Sequence, residues 1–365
     1  VIAAARDCGA DAVRIAPADP LPQTRDRLGA SVARGDLATW RYDERYAAAA
    51  SDPRTLLAQA RSVVCVAVRY ATPAPPPARG RGRTSNYAWS PDYHRRMRAL
   101  LAAIAERIGA LGGDTAIACD TAPIAERAFA ERAGIGWVGK HTNLIAPGAG
   151  SYVFLGEVVT SLALEPDAPL RKSCGSCARC VHACPTGALR GDYTIDATRC
   201  ISDLTQRTDA IPVALRPLVG TWVWGCDLCQ DACPPTQRAP RDAVAFAPLD
   251  ADAQAPPLQA LLRLRSGEFK RRYARTAMGW RGAAVLRRNA AVALGNELDR
   301  AHVPALAEAL AGDPHPQVRG HAAWALGRIG SPQALALLRA AAADERNRTV
   351  AAEIAAALEP SSKPA

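Results

Sequence analysis

Eight of the eleven cysteines fall between positions 174 and 233 in two related runs. The first is Cys174-x2-Cys177-x2-Cys180-x3-Cys184-Pro185. The second is Cys200, then Cys226-x2-Cys229-x3-Cys233-Pro234. In such runs three closely spaced thiolates grip three irons of one cubane cluster, while the fourth reaches across to a neighbouring one. The spacing therefore predicts two 4Fe–4S clusters: Cys174, Cys177 and Cys180 completed by Cys233, and Cys200, Cys226 and Cys229 completed by Cys184. Electron transfer is the chemistry such a pair supplies. Structural zinc on Cys226-x2-Cys229 is the competing reading, although a twice-repeated Cys-Pro ending is not zinc-ribbon spacing. Disulfides suit exported chains. The opening VIAAARDCGADAVRIAP carries acids and a helix-then-strand pattern in place of a basic, apolar leader, so a cytoplasmic address is expected. Cys8, Cys65 and Cys119 sit among apolar neighbours and read as small core residues.

Those thiolates need a scaffold. With 365 residues, 49% of them hydrophobic and 22% charged, the chain can bury the cores of two or three domains. No run approaches the roughly 18 uninterrupted apolar residues of a membrane span, since VVCVAV is short and YVFLGEVVTSLAL is broken by Glu157. Up to residue 165 helical and extended segments alternate. AAARDCGADAVRIAP reads as helix then strand, and TLLAQARSVVCVAVRY as a helix over Leu56–Arg61 followed by a strand over Val63–Tyr70. ATPAPPPARGRGR is an exposed loop. DYHRRMRALLAAIAERIGAL is an amphipathic helix, and TAIACD a short buried strand feeding PIAERAFAERAG, a helix closed by Gly134. The expected division is an α/β domain over 1–165, the cluster module over 166–240, a linker over 241–260 and a helical segment over 261–360.

Within that last segment the chain repeats itself. LRRNAAVALG (Leu286–Gly295) aligns with VRGHAAWALG (Val318–Gly327), and VAAEIAAAL from Val350 is a weaker third copy, each 32 residues beyond the last. Small Ala and Leu at helical spacing with this period indicate stacked helix pairs of the HEAT type. The net charge of +10 is concentrated nearby: between Arg263 and Arg288 nine basic residues stand against one acid, Glu268. That stretch suits either a polyanion-docking surface or a solvated helical face.

Three smaller features bear on chemistry. GIGWVGKH (134–141) matches G-x-G-x-x-G, but it follows a helix and leads into the extended TNLIAP, the reverse of a dinucleotide loop, and His141 stands where a P-loop needs Ser or Thr. Its glycines suit close approach of backbone to a bulky ligand. Asp120 in CDTAP ends a strand before a helix, where an aspartate either caps backbone amides or, in a desolvated pocket, acts as an acid. His94 is open between a hydrogen-bonded helix residue and a site role.

Taken in order, NYAWSPDYH, CDTAPIAERAFAERAGIGWVGKHTNLIAPGAGSYVFLGE, CGSCARCVHACPTGAL, RCISDLTQ, WGCDLCQDACP and WRGAAVLRRNAAVALGN resemble the epoxyqueuosine reductases over most of the chain. These are cobalamin and iron–sulfur enzymes that complete queuosine on the wobble base of certain tRNAs. The resemblance implies an α+β multidomain fold: a nitroreductase-like α/β cobalamin-binding domain, a ferredoxin-like two-cluster module and C-terminal α-helical HEAT-like repeats that help hold tRNA. It implies base-off cobalamin, in keeping with the lack of a D-x-H-x-x-G motif; Asp92-Tyr-His94 is followed by Arg95, Arg96 and Met97. Electrons from an external low-potential donor of ferredoxin or flavodoxin type would pass through the clusters to cobalt. The reduced corrinoid would then remove the epoxide oxygen as water.

Carried onto this sequence, the resemblance makes Asp120 the proton donor, its pKa expected to be raised by desolvation beneath the corrin. Matching cobalamin contacts are Ser85, Asp120, Leu144, Leu155, Ser202, Cys226 and Asp227. For tRNA, Lys270, Arg271, Arg272, Arg281, Arg287 and Arg288 would meet phosphates, with Trp280 as a stacking surface or a core residue. A monomer without membrane attachment is expected. Asn86, Ser90 and Ala50 depart from the family pattern, which places Arg and Gly around YAW and Arg ahead of DPRTLL. A corrinoid reductive dehalogenase or other small-molecule corrinoid reductase is the alternative, but it gives no reason for the basic stretch or the repeats. A ferredoxin-like electron-transfer protein would leave the N-terminal domain unexplained.

Overall fold

The structure, a computed structural model, describes residues 1–40 and 42–359, Ala4 through its backbone alone; Pro360, the expected end of the helical segment, lies outside the described residues. The chain divides into two compact units, neither continuous in sequence. One gathers Val1–Pro73, Asp92–Cys200 and Asp227–Ala247, the other Ala74–Pro91, Ile201–Cys226 and the chain from Pro248 onward. Among the described residues no helix is long and apolar enough to cross a membrane.

The first unit is built on a four-stranded sheet in the order Ala12–Pro17, Ser62–Arg69, Val153–Thr160, Thr115–Ala118, every pairing antiparallel. Ser62–Arg69 is central and buried almost throughout, as its unbroken apolar run requires. Alternation sends Val63, Cys65 and Ala67 to one face, where they share a core with Phe129 and Ala130 of the helix Glu126–Arg132. The opposite face packs on the helix Tyr93–Gly109. Gly156 makes room there, since a Cβ would stand 2.7 Å from Leu101 Cδ1.

Two expectations change. Leu56–Arg61 is not a helix: Pro53–Thr55 forms a 3-10 turn with Asp52 accepting the Arg54 N–H, Leu56 and Leu57 turn in against the core, and the Arg61 N–H already donates to Thr160. The segment is used up in entering the strand. Thr115–Ala118 is a strand but an edge one, with Ile117 40% exposed. The glycine-rich loop resolves into a small hairpin, Trp137–Val138 paired with Leu144–Ile145. Gly134 closes the preceding helix at φ 81°, and a Cβ at Gly136 would stand 2.3 Å from the Ile145 carbonyl oxygen. Its glycines therefore let two backbones meet.

In the second unit the helices Ala283–Glu297, Pro316–Ile329 and Arg348–Leu358 stack, interleaved with Val303–Gly312 and Pro332–Asp344. The 32-residue period is physical. Gly295 abuts Ala325 and Gly327 abuts Ala357, where an added Cβ would come within 2.8 and 2.7 Å of the alanine Cβ. An ion pair repeats in the same register: Arg287 Nε to Asp313 Oδ2 at 2.6 Å, and Arg319 Nε to Glu345 Oε2 at 2.9 Å. From the first helix of the stack, Arg288 and Asn289 bind the Ile201–Cys226 segment through its carbonyls. Arg288 donates to Leu204, Arg207 and Asp209, and Asn289 to Thr205 and Val223.

Candidate active site

At the end of the edge strand Asp120 adopts a left-handed backbone, φ 55°, a conformation that residues with a side chain rarely take unaided. Two contacts hold it. Its N–H donates to Glu126 Oε1 at 2.5 Å, and its Oδ2 lies 3.0 Å from His94 Nε2. The other His94 nitrogen, Nδ1, is 2.7 Å from Asp92 Oδ1, which also accepts the His94 N–H as cap of the Tyr93–Gly109 helix. The Asp120 side chain is 53% exposed and that of His94 20%. The carboxylate thus faces outward with the imidazole behind it.

The charges follow from this geometry. Desolvation works to raise the Asp120 carboxyl, but the His94 hydrogen bond and charge, with Tyr93 and Arg127 helping, hold it below the usual range. This corrects the expected upward shift. The Asp120 hydrogen bond raises His94 against desolvation, and Asp92 adds to the rise, so the proton of the pair resides on the imidazole. Burial pushes Glu126 up to about 7, with the Asp120 charge adding to it. On the Val153–Thr160 strand Glu157 is wholly buried, neither carboxyl oxygen has a partner, and burial raises it well above the carboxylate range. Sequence reading saw Glu157 only as a break in an apolar run.

The cysteines of the first unit form two neighbourhoods. Cys180 feels Cys174 and Cys233, and Cys233 feels Cys174 and Cys177. Cys229 feels Cys200 first, then Cys180 and Cys184. Cys226 ends a segment of the second unit. None of the eleven cysteines is bridged. Trp137 packs against Cys233 and Cys174, and its buried indole N–H has no partner. Among the described residues no three His, Cys, Asp or Glu side chains close on a single-ion site.

Comparison with known proteins identifies this arrangement. A family model for epoxyqueuosine reductase QueG, DUF1730, matches residues 51–121; a 4Fe–4S double cluster binding domain matches 173–236, and HEAT repeats match 281–359. The epoxyqueuosine reductase of Bacillus subtilis (strain 168) is 34% identical over 362 residues, 97% of this chain and 93% of its own. A solved epoxyqueuosine reductase with a tRNA-Tyr epoxyqueuosine-modified tRNA stem loop superposes with a TM-score of 0.91 at 34% identity, covering 97% of this chain and 96% of that one. The chain belongs to the epoxyqueuosine reductases. It is an oxidoreductase with a 4Fe–4S domain and HEAT repeats. Another solved epoxyqueuosine reductase, from Bacillus subtilis, has its catalytic aspartate loop swung out of the active site; it superposes with a TM-score of 0.88 at 33% identity over 97% of this chain and 96% of that one.

The remaining positions that an epoxyqueuosine reductase is expected to use divide between the units. Asp120, Leu144, Leu155 and Asp227 belong to the first, Ser85, Ser202 and Cys226 to the second. Leu144, Asp227 and Ser85 are buried, while Leu155, Ser202 and Cys226 are half-buried. The departures Asn86, Ser90 and Ala50 are all buried.

The basic residues are sorted more sharply. Arg288 is 1% exposed and its guanidinium is taken up by backbone carbonyls, and Arg287 is locked to Asp313. Neither presents a charge to a polyanion, which corrects their assignment to a docking surface. The alignment of repeats held the signal, because it sets Arg288 and Asn289 against Gly320 and His321, all four of them buried. Arg281 donates to the Gln206 carbonyl and lies over the Trp280 ring at 3.7 Å, and Arg272 pairs with Asp250 and Asp252. Lys270 and Arg271 are exposed on the helix Ser266–Arg272, with Arg265 and Arg275 exposed beside them. Trp280 is 49% exposed, a surface residue.

Proposed function

We propose that the chain reduces epoxyqueuosine to queuosine at the wobble position of tRNA, a two-electron, two-proton removal of the epoxide oxygen as water, using base-off cobalamin and two 4Fe–4S clusters. The observation that carries this reading is the pair of thiol neighbourhoods within 174–233, an electron-carrying element in a family with a solved member bound to an epoxyqueuosine-modified tRNA stem loop. Cys174, Cys177, Cys180 and Cys233 would hold one cluster, and Cys184, Cys200, Cys226 and Cys229 the other. The donor set suits them: eight unbridged thiols, four to each cubane. The unpartnered Trp137 N–H beside Cys174 and Cys233 adds a donor that cluster sulfur can accept.

When bound, cobalamin supplies a strongly reducing cobalt centre for the strained epoxide carbon. Ser85, Asp120, Leu144, Leu155, Ser202, Cys226 and Asp227 would hold it, leucines suiting an apolar corrin face and short polar groups its amide rim. The chain's own task is the proton. An oxygen leaving carbon gathers negative charge and needs a positioned acid. Asp120 offers an exposed carboxylate, and His94 keeps a proton 3.0 Å behind it. Asp120 would pass that proton to the departing oxygen, and Asp92 would steady the imidazole through Nδ1.

In this reading residues 1–165 form a nitroreductase-like cofactor domain, 166–240 the cluster module and 261–360 the tRNA-docking repeats, in a cytoplasmic monomer fed by a ferredoxin or flavodoxin type donor. Exposed Lys270 and Arg271 would meet phosphates. The test is anaerobic: load clusters and cobalamin, add a strong reductant, and assay tRNA nucleosides by mass for queuosine. Product that requires both cofactors supports the reading. Full loading and cobalt reduction without product would overturn it.

A further inference from the structure

Asp120 owes its presentation to a carboxylate that the reaction does not touch. Between Cys119 and Glu126 the backbone is folded on itself: the Thr121 N–H donates to Cys119, the Ile124 N–H to Ala122, and the Ala125 N–H reaches Ala50 at 2.7 Å. The Asp120 N–H is taken by Glu126 Oε1, six residues on. That bond and the His94 contact meet at one left-handed residue, so losing either frees the other.

We propose that Glu126 is a positioning residue for the proton-donating aspartate: its carboxylate locks the turn that aims Asp120 at His94, and protonation of Glu126 releases that turn. The proposal rests on the reading of Asp120 given above. The groups facing Glu126 come from every element around it. They are Arg127 on its own helix, Cys119 and Asp120 on the turn, His94 on Tyr93–Gly109, Tyr46 on Glu44–Ala50, Cys65 on Ser62–Arg69 and Glu157 on Val153–Thr160. Burial leads in bringing Glu126 to about 7 and the Asp120 charge adds to it, while the hydrogen bond from the Asp120 N–H, Arg127 and His94 oppose. Glu157, wholly buried and without a partner, stays a neutral acid, so it places no second negative charge against Glu126. Above about 7 the latch is a carboxylate, a strong acceptor; below it the neutral carboxyl holds the N–H less well.

Amide hydrogen exchange on the full chain with clusters loaded tests this, read by mass spectrometry on peptides spanning 119–125 and corrected for intrinsic exchange. In E126A the Asp120 amide should exchange about tenfold faster or more. In wild type protection should fall as pH drops through about 7. E126Q, whose amide oxygen still accepts but does not titrate there, should show intermediate protection without that pH dependence. Peptides from Ser62–Arg69 report whether the sheet is intact. Equal protection in all three proteins with an intact sheet overturns the proposal. If E126A does not fold, E126Q decides, and a wild-type pH dependence in it is equally fatal. A wild-type chain inactive on tRNA would sink the reading of Asp120 as donor and leave these exchange rates to be judged separately.

Discussion

His94 Nε2 stands 3.0 Å from Asp120 Oδ2, joining the first turn of a helix to the end of a strand across 26 positions of sequence. The pair is charged over a definite window. His94 is raised when folded, so its contribution is complete below the unfolded value of about 6.5 and is lost as pH rises through the folded value. Asp120 is depressed, so its contribution holds above about 3.9 and is lost as pH falls through the folded value. The difference in Tm between wild type and H94Q should therefore be largest near pH 5 to 6 and shrink toward about pH 9. A difference that grows with pH would contradict the charge assignment.

Replacing Asp120 by Asn keeps the size of the side chain but removes the group that receives and passes a proton. Single-turnover reduction should slow by about a hundredfold to ten-thousandfold, with iron content and cobalamin loading unchanged. Rates equal to wild type would assign the proton to another donor.

Cys229 and Cys233 are four residues apart yet sit in different thiol neighbourhoods. C229S and C233S should each disturb a different cluster, giving distinct electron paramagnetic resonance signals from the cluster left intact. Identical spectra from the two variants would mean the ligands are shared out differently.

The basic residues should separate into two behaviours. R288M strips donors from three backbone carbonyls and should destabilise by about 3 kcal/mol or more, read as a fall in Tm. K270A and R271A should leave Tm alone and each reduce the slope of tRNA affinity against salt by about 1. A salt slope untouched in the double variant would move the docking surface elsewhere.

Gly327 lies within a helix, where alanine would ordinarily gain about 1 kcal/mol in propensity. Here the new Cβ would stand 2.7 Å from both the Cβ and the carbonyl oxygen of Ala357. Overpacking costs about 1–3 kcal/mol, so G327A should lower the Tm of the repeats. A rise would show that the stack relaxes freely.

Sequence made some of this legible because the relevant spacing is local. The 32-residue period, the amphipathic Tyr93–Gly109 helix and the helix closed by Gly134 all depend on near neighbours. What it hid depends on distant partners. The direction of the Asp120 shift is decided by His94, and nothing in CDTAP names it. Arg287 and Arg288 read as surface charge because arginines in a basic run generally are. Their burial follows from carbonyls at 204, 207 and 209 and from Asp313, which only folding brings near. Glu157 looked like an interruption because a buried, unpartnered carboxyl is costly enough to be rare.

The interleaving of the two units has a consequence for the order of synthesis. The first unit draws on nothing beyond Ala247, so every strand of its sheet is available while the ribosome still holds the last third of the chain. The second unit takes Ala74–Pro91 and Ile201–Cys226 from early in the chain, and these carry Trp89, Trp222 and Trp224, all buried at the end. Until the helices after Pro248 emerge, Trp224 lacks the core it shares with Leu258, Leu261 and Leu262. A nascent chain stalled near residue 250 should therefore hold one finished unit and two segments of an unfinished one, the state most exposed to chaperones and to aggregation.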